Sequence, residues 1–246
     1  MLFQNRDEAA QVLSENLTQY RGKNPLILAI PRGAVPMGKL IAAELGGELD
    51  VVLVRKLRAP GNPEFAIGSV DETGWTYVAD YAAGVGASES YIEVEKRAQM
   101  ETMRTRRAQY TPVHPPVDPK GRIVIVVDDG LATGATMISA LHALRAKQPE
   151  KLIAAAPVAS PEALRKVQSY ADEVVCLHAP EYFQAVGQFY MDFPQVDDEE
   201  VIAILRESKQ RQQPHQQAVE KQPACSARMR GGKGPGWPSP TDYESS

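Results

Sequence analysis

The apolar positions of this chain change period along its length. Between about Asp7 and Tyr20 the residues Ala10, Leu13 and Leu17 share one helical face. Leu26 to Ile30 is a short unbroken apolar run, which marks a strand buried on both sides. Met37 to Leu45 returns to helical spacing through Met37, Leu40, Ile41 and Leu45, and Asp50 to Val54 reads as a second strand. Ile123 to Val127 is another strand, followed by a helix from Thr136 to Lys147 that turns Ile138, Leu141 and Leu144 inward. Leu152 to Val158 reads as a strand, Pro161 to Tyr170 as a helix opening on a permitted proline, and Glu173 to Leu177 as a strand. Strands that alternate with helices predict an α/β fold whose parallel sheet is covered on both faces. Ligands in such sheets bind beyond the carboxyl ends of the strands, where Pro31-Arg32-Gly33 and Asp128-Asp129 fall.

Two regions break the alternation. Residues 57–119 form a long insert, with a Pro-Gly-Asn-Pro turn, strand-like runs at Ala66 to Val70 and Trp75 to Val78, and a charged helix from about Glu89 to Gln109. An insert of that size beside a site suits a lid. After a last helix, Val201 to Arg206, with Asp197-Asp198-Glu199-Glu200 as its acidic first turn, the chain becomes rich in Gln, Pro, Gly and Ser. Residues 1–207 therefore read as one domain that carries the insert, and 208–246 as a disordered tail, including the Arg230 to Gly236 run.

Composition narrows the function classes. The 246 residues are 43% hydrophobic and 24% charged, as expected of a globular protein with a substantial core. A net charge of −4 without a basic stripe argues against a nucleic-acid binder. Cys176 and Cys225 suggest neither a disulfide framework nor a cysteine metal site. The opening residues lack the basic-then-apolar build of a signal peptide, and no apolar run is long enough to span a bilayer, so a cytoplasmic protein is expected. The Walker P-loop, the His-Glu-x-x-His zinc pattern, the Gly-x-Ser-x-Gly elbow and the Gly-x-Gly-x-x-Gly dinucleotide run are all absent.

The residues Val124 to Thr136 say most about chemistry: Val-Ile-Val-Val-Asp-Asp-Gly-Leu-Ala-Thr-Gly-Ala-Thr. Asp128 and Asp129 sit at a strand end, where they can accept hydrogen bonds from neighbouring hydroxyls. Ala132, Thr133, Gly134, Ala135 and Thr136 offer backbone N–H groups, two hydroxyls and a helix N-terminus to a phosphate. Upstream, Arg32, Gly33 and Ala34 follow a strand and precede a helix, as an anion-binding loop would. Arg55 and Lys56 add two cations at the same rim, on opposite faces if the second strand continues. The insert helix carries Lys96, Arg97, Arg104, Arg106 and Arg107, with Glu93 and Arg97 at i,i+4 spacing. Glu181 to Phe193 is the densest aromatic stretch; it offers either a stacking face for a flat base or plain packing on the sheet.

The segment Val124 to Thr136 closely resembles the 5-phosphoribosyl-1-pyrophosphate (PRPP) signature of the type I phosphoribosyltransferases, and Ala29 to Pro36, Arg55 to Pro63 and Val186 to Gln195 are similar to an uncharacterised bacterial branch of that family. The resemblance implies a parallel core of about five strands with a hood, and transfer of 5-phosphoribosyl from PRPP to a nitrogenous base with release of pyrophosphate, as a pentosyltransferase of nucleotide metabolism. It places Asp128 and Asp129 on the ribose hydroxyls, close to a Mg²⁺ held through ribose and pyrophosphate oxygens. Residues Ala132 to Thr136 would take the 5-phosphate, and Arg32, Gly33, Ala34, Arg55 and Lys56 the pyrophosphate. The partners implied are PRPP and a nucleobase-like acceptor, with no nucleic acid and no membrane; a homodimer is one compatible assembly. A PRPP-sensing regulator without turnover is the alternative.

Overall fold

The computed structural model describes residues 1–220. In chain order the elements are α1 (Arg6–Glu15), β1 (Leu26–Ala29), α2 (Val35–Leu45), β2 (Glu48–Val51), β3 (Val54–Ala59), β4 (Asn62–Asp71), β5 (Thr76–Val78) and α3 (Glu89–Tyr110). They continue with β6 (Ile123–Val127), α4 (Ala135–Arg145), β7 (Lys151–Val158), α5 (Pro161–Val167), β8 (Glu173–His178) and α6 (Asp198–Glu220).

A five-stranded sheet in the order β2-β1-β6-β7-β8 is parallel throughout, with Leu26 beside both Glu48 and Val124. Its central strands are apolar at nearly every position because both faces are covered. Ile27, Ala29, Ile125, Val127, Ile153 and Ala155 face the core shared with α1, α2 and α6. Their neighbours Leu26, Leu28, Val124, Val126, Leu152 and Ala154 face α4 and α5. Each fully buried aliphatic side chain contributes about 1.5–3 kcal/mol, so truncating Ile125 to Ala would cost about 2–5 kcal/mol.

Local chemistry sets the helix ends. Asn5 caps α1 by accepting from the N–H groups of Asp7 and Glu8, and Gly46 ends α2 in the left-handed region at φ 64°. The opening helix stops at Glu15 rather than Tyr20, and Thr18–Tyr20 forms a 3₁₀ turn. Ala10, Leu13 and Leu17 are nonetheless all buried.

The expected strand Asp50 to Val54 divides. Glu48–Val51 joins the parallel sheet, whereas Val54–Ala59 starts a second sheet, three-stranded and antiparallel, in the order β3-β4-β5. The run Val51-Val52-Leu53-Val54 is apolar and buried throughout, so its pattern held no sign of the break. Arg55 and Lys56 therefore lie on the first strand of the extra sheet, not at the end of the second core strand. The helix α3 packs on β3, and α4 touches β3, β4 and β5, so the extra sheet lies against the helix that follows β6. At the carboxyl end, α6 runs on to Glu220 instead of ending at Arg206, so 208–220 continues the helix where a tail was expected. Gln, Lys and Arg, frequent in that stretch, are good helix formers. Residues 221–246, the rest of that tail, lie outside the described residues.

Candidate active site

The strand order reverses between β1 and β6: α2 carries the chain from β1 outward to β2, and α4 carries it from β6 the other way to β7. A crevice opens where two neighbouring strands send their loops in opposite directions. Both candidate loops lie there. They line one cavity of about 310 Å³ with Arg32, Gly33, Lys56, Asp128, Asp129, Ala132, Thr133, Gly134 and Thr136. Of the expected site residues, Ala34 and Ala135 are buried at the starts of α2 and α4 and do not line it. Arg55 lies in an adjoining cavity of about 260 Å³, with Lys56 and Arg58.

The loop after β6 leaves unpaired the donors that an anion would need. Gly134 takes φ 76° at the start of α4, a conformation that costs little only for glycine. Among the described residues the N–H groups of Ala132, Thr133 and Gly134 donate to no carbonyl or side chain, and successive unpaired donors in a turn are what an anion-binding concavity requires. Ser160, outside the sequence motif, steadies the loop by donating to the Ala132 carbonyl at 2.7 Å.

The two carboxylates differ in surroundings. Asp128 accepts from the Asp129 N–H at 2.9 Å and from the Thr136 hydroxyl at 3.2 Å. Burial, then the charge of Asp129, pushes its carboxyl up to about 7. Burial also raises Asp129, but the Arg6 guanidinium opposes this, with Nε and Nη2 both donating to Oδ2 at 3.1 and 3.0 Å. Arg6 is 9% exposed, and its Nη1 donates to the Pro194 carbonyl at 2.7 Å. Gly33 passes so close that an added Cβ would lie 2.1 Å from Asp129 Oδ2.

The cations are largely spoken for. Arg32 Nη1 lies 3.4 Å from Asp198, which also meets Arg106 Nε at 3.2 Å and accepts from the Tyr110 hydroxyl at 2.5 Å. Asp198 thus does more than supply charge to the first turn of α6; it joins the anion loop to the insert helix. Arg55 turns to Gln99 on α3 while Lys56 lines the cavity, the opposite-face arrangement that strand geometry requires. Burial and the neighbouring Arg106, Arg58 and Arg32 lower Arg55. Arg104 pairs with Glu101 and Arg107 with Glu72, while Glu93 lies by Lys96 at i,i+3 rather than by Arg97. None of the five α3 cations named above lines either cavity.

Of the aromatic stretch, only Val186 and Phe193 reach the main cavity. Phe183 and Phe189 pack on each other, and Tyr182 is exposed. Phe193 has the Arg6 guanidinium 3.7 Å from its centroid and the Tyr190 ring stacked at 4.6 Å. Groups that close cannot share one face, so both faces are covered and Phe193 offers its edge, not the stacking platform considered from the sequence. The sequence carried no signal for Arg6, Ser160 or Asp198, because each reaches the site only through the fold.

A doubly covered parallel sheet with a turn of unpaired N–H groups, paired acids and a second loop carrying Arg32 at its switch point defines an open α/β protein whose candidate site lies in that crevice. A family model described as phosphoribosyl transferase domain matches residues 2–194, and the chain belongs to that family. It is 37% identical over 205 residues to the Mycobacterium tuberculosis (strain H37Rv) protein Rv0571c, whose name places it among phosphoribosyl transferases and specifies no substrate. That match covers 83% of this chain and 46% of the relative, so the chain spans about half the length of these curated relatives. The crystal structure of TT1426 from Thermus thermophilus is 46% identical with a TM-score of 0.70, covering 84% of this chain and 99% of that one. A uracil phosphoribosyltransferase of Thermococcus sibiricus is 25% identical, over 63% of this chain and 70% of its own length. Among the described residues no helix is long and apolar enough to cross a membrane.

Proposed function

We propose that the protein transfers the 5-phosphoribosyl group of PRPP to a nitrogenous base and releases pyrophosphate. The observation that carries this is the meeting of the Ala132 to Thr136 turn, Asp128-Asp129 and Arg32-Gly33-Lys56 around one cavity. The acceptor nitrogen would form a bond to ribose C1 as the bond from C1 to the pyrophosphate oxygen breaks, the electron pair leaving with that oxygen. Positive charge grows on the ribose ring in between. Asp128 and Asp129 would hold the ribose hydroxyls, the turn would hold the 5-phosphate, and Arg32, Gly33 and Lys56 the leaving pyrophosphate. Ala34 and Ala135, both buried, would contribute to these loops through the backbone alone, and Arg55 would act from the adjoining cavity.

The donor set suits Mg²⁺, since two carboxylates face the cavity. Among the described residues no cluster of three or more His, Cys, Asp or Glu converges, so substrate oxygens would complete the shell. When bound, the ion would supply neutralising charge to the pyrophosphate. A PRPP-sensing role without turnover draws support from Arg32, whose charge is shared with Asp198 rather than given wholly to the cavity.

Calorimetry with Mg-PRPP on wild type and Asp128→Asn/Asp129→Asn, followed by pyrophosphate release across a panel of bases, tests both readings. Firm wild-type binding that the variant loses, with release for at least one base, supports the transferase. Binding without release for any base supports the sensor, and equal weak binding by both proteins refutes the site.

A further inference from the structure

We propose that Arg6, on the first turn of α1, is a positioning residue that fixes Asp129 for the sugar and ties it to the 186–193 wall of the cavity. This rests on the phosphoribosyl reading, since ribose is what Asp129 would hold. Three contacts use the planar guanidinium in different directions: Nε and Nη2 meet one oxygen of Asp129, Nη1 meets the Pro194 carbonyl, and the plane lies on Phe193. Because Arg6 occupies Oδ2, the carboxylate cannot rotate freely. Oδ1, which has no partner from another residue, remains for a ligand. Tyr190 holds the same residue from behind, donating to the Asp129 carbonyl at 2.7 Å and stacking on Phe193. A Cβ on Gly33 would meet Arg6 Nη2 at 3.2 Å as well as the Asp129 carboxylate, so the anion loop is cut to fit this pair.

A helix could be anchored here with an aliphatic side chain, which avoids the desolvation cost of a buried ion pair. A fork that fills two directions and stacks in a third gives instead a single setting of the carboxylate and of the ring beside it. Lysine, a point charge on a flexible stem, cannot reproduce that.

The test measures Mg-PRPP and inorganic pyrophosphate binding to Arg6→Lys and Arg6→Ala, each also in the Asp129→Asn background. Pyrophosphate has no ribose and is the internal control. Arg6→Lys should weaken Mg-PRPP by about tenfold, and Arg6→Ala by more. Pyrophosphate binding should change less than about twofold, the loss should largely vanish once Asp129 is Asn, and methylguanidinium should restore binding to Arg6→Ala. Equal losses for both ligands, or a loss undiminished in the Asn background, would show general damage and overturn the proposal. Wild-type binding of Mg-PRPP that both variants retain overturns the role of Arg6 alone. Absence of wild-type binding overturns the phosphoribosyl reading and the role of Arg6 with it.

Discussion

Replacing Gly33 with alanine adds one methyl group at the most crowded point of the site. The new Cβ would lie 2.1 Å from Asp129 Oδ2 and 3.0 Å from its Cγ. An ordinary contact needs about 3.5 Å, so the carboxylate must retreat by more than about 1 Å or the loop must lift. The carboxylate has little room to do so, because Arg6 holds the same oxygen at 3.0 and 3.1 Å, and a shift of that size lengthens both bonds beyond useful range. Overpacking of this kind costs about 1–3 kcal/mol, which for a domain of this length lowers Tm by about 2–12 °C. The effect on ligand should be larger, since misplacing a site group by about 1 Å can cost a hundredfold. Calorimetry should therefore find Mg-PRPP binding weakened roughly ten- to hundredfold. Gly46→Ala is the control. It is also strained, at φ 64°, but its Cβ would meet nothing within 4 Å and it lies at the far end of α2, so Tm should fall while binding holds. If Gly33→Ala binds Mg-PRPP within about twofold of wild type at an unchanged Tm, the packing argument for this glycine is wrong.

Three further outcomes follow from the same geometry. Because Asp128 is raised from 3.8 to about 7, the folded protein keeps a proton that the unfolded chain has released; its favourable contribution is present below about pH 4 and lost as pH rises through 7. Asp128→Asn should then flatten the decline in unliganded stability between those values by about 1–2 kcal/mol, discounted for its partial exposure and read from urea unfolding at a series of pH values. Asp198→Asn removes the charge that Arg32 and Arg106 share and weakens the bond accepted from the Tyr110 hydroxyl, and should cost about 1–3 kcal/mol in the same assay. Gly134→Ala forces a side chain into φ 76° and within 3.1 Å of Val167, so it should cost about 1–2 kcal/mol and weaken ribose 5-phosphate binding in calorimetry.

Much of the core was legible because its physics is local. The strand Ile123–Val127 falls where its apolar run places it, and Asp128, Asp129 and the Ala132 to Thr136 turn follow directly in sequence. The loop after β1 was legible for the same reason. The break between β2 and β3 was not, because an apolar run looks alike whether it pairs with one sheet or passes to another. The aromatic stretch left two readings open for a related reason: residue type shows that rings are present, not which faces their neighbours cover. Nor did helical spacing reveal that Arg106 would meet Asp198, 92 positions on by subtraction (198 − 106).

The sequence by itself determined most of the alternating elements, which residues stand at the switch point and the family to which the chain belongs, because hydrophobic period and contiguous motifs act over a few residues. Only the tertiary structure decided that Arg6 grips Asp129, that Asp198 joins the anion loop to the insert helix, and that Phe193 offers an edge rather than a face. These contacts join residues far apart in the chain, so they depend on how the layers pack, and no local pattern records that.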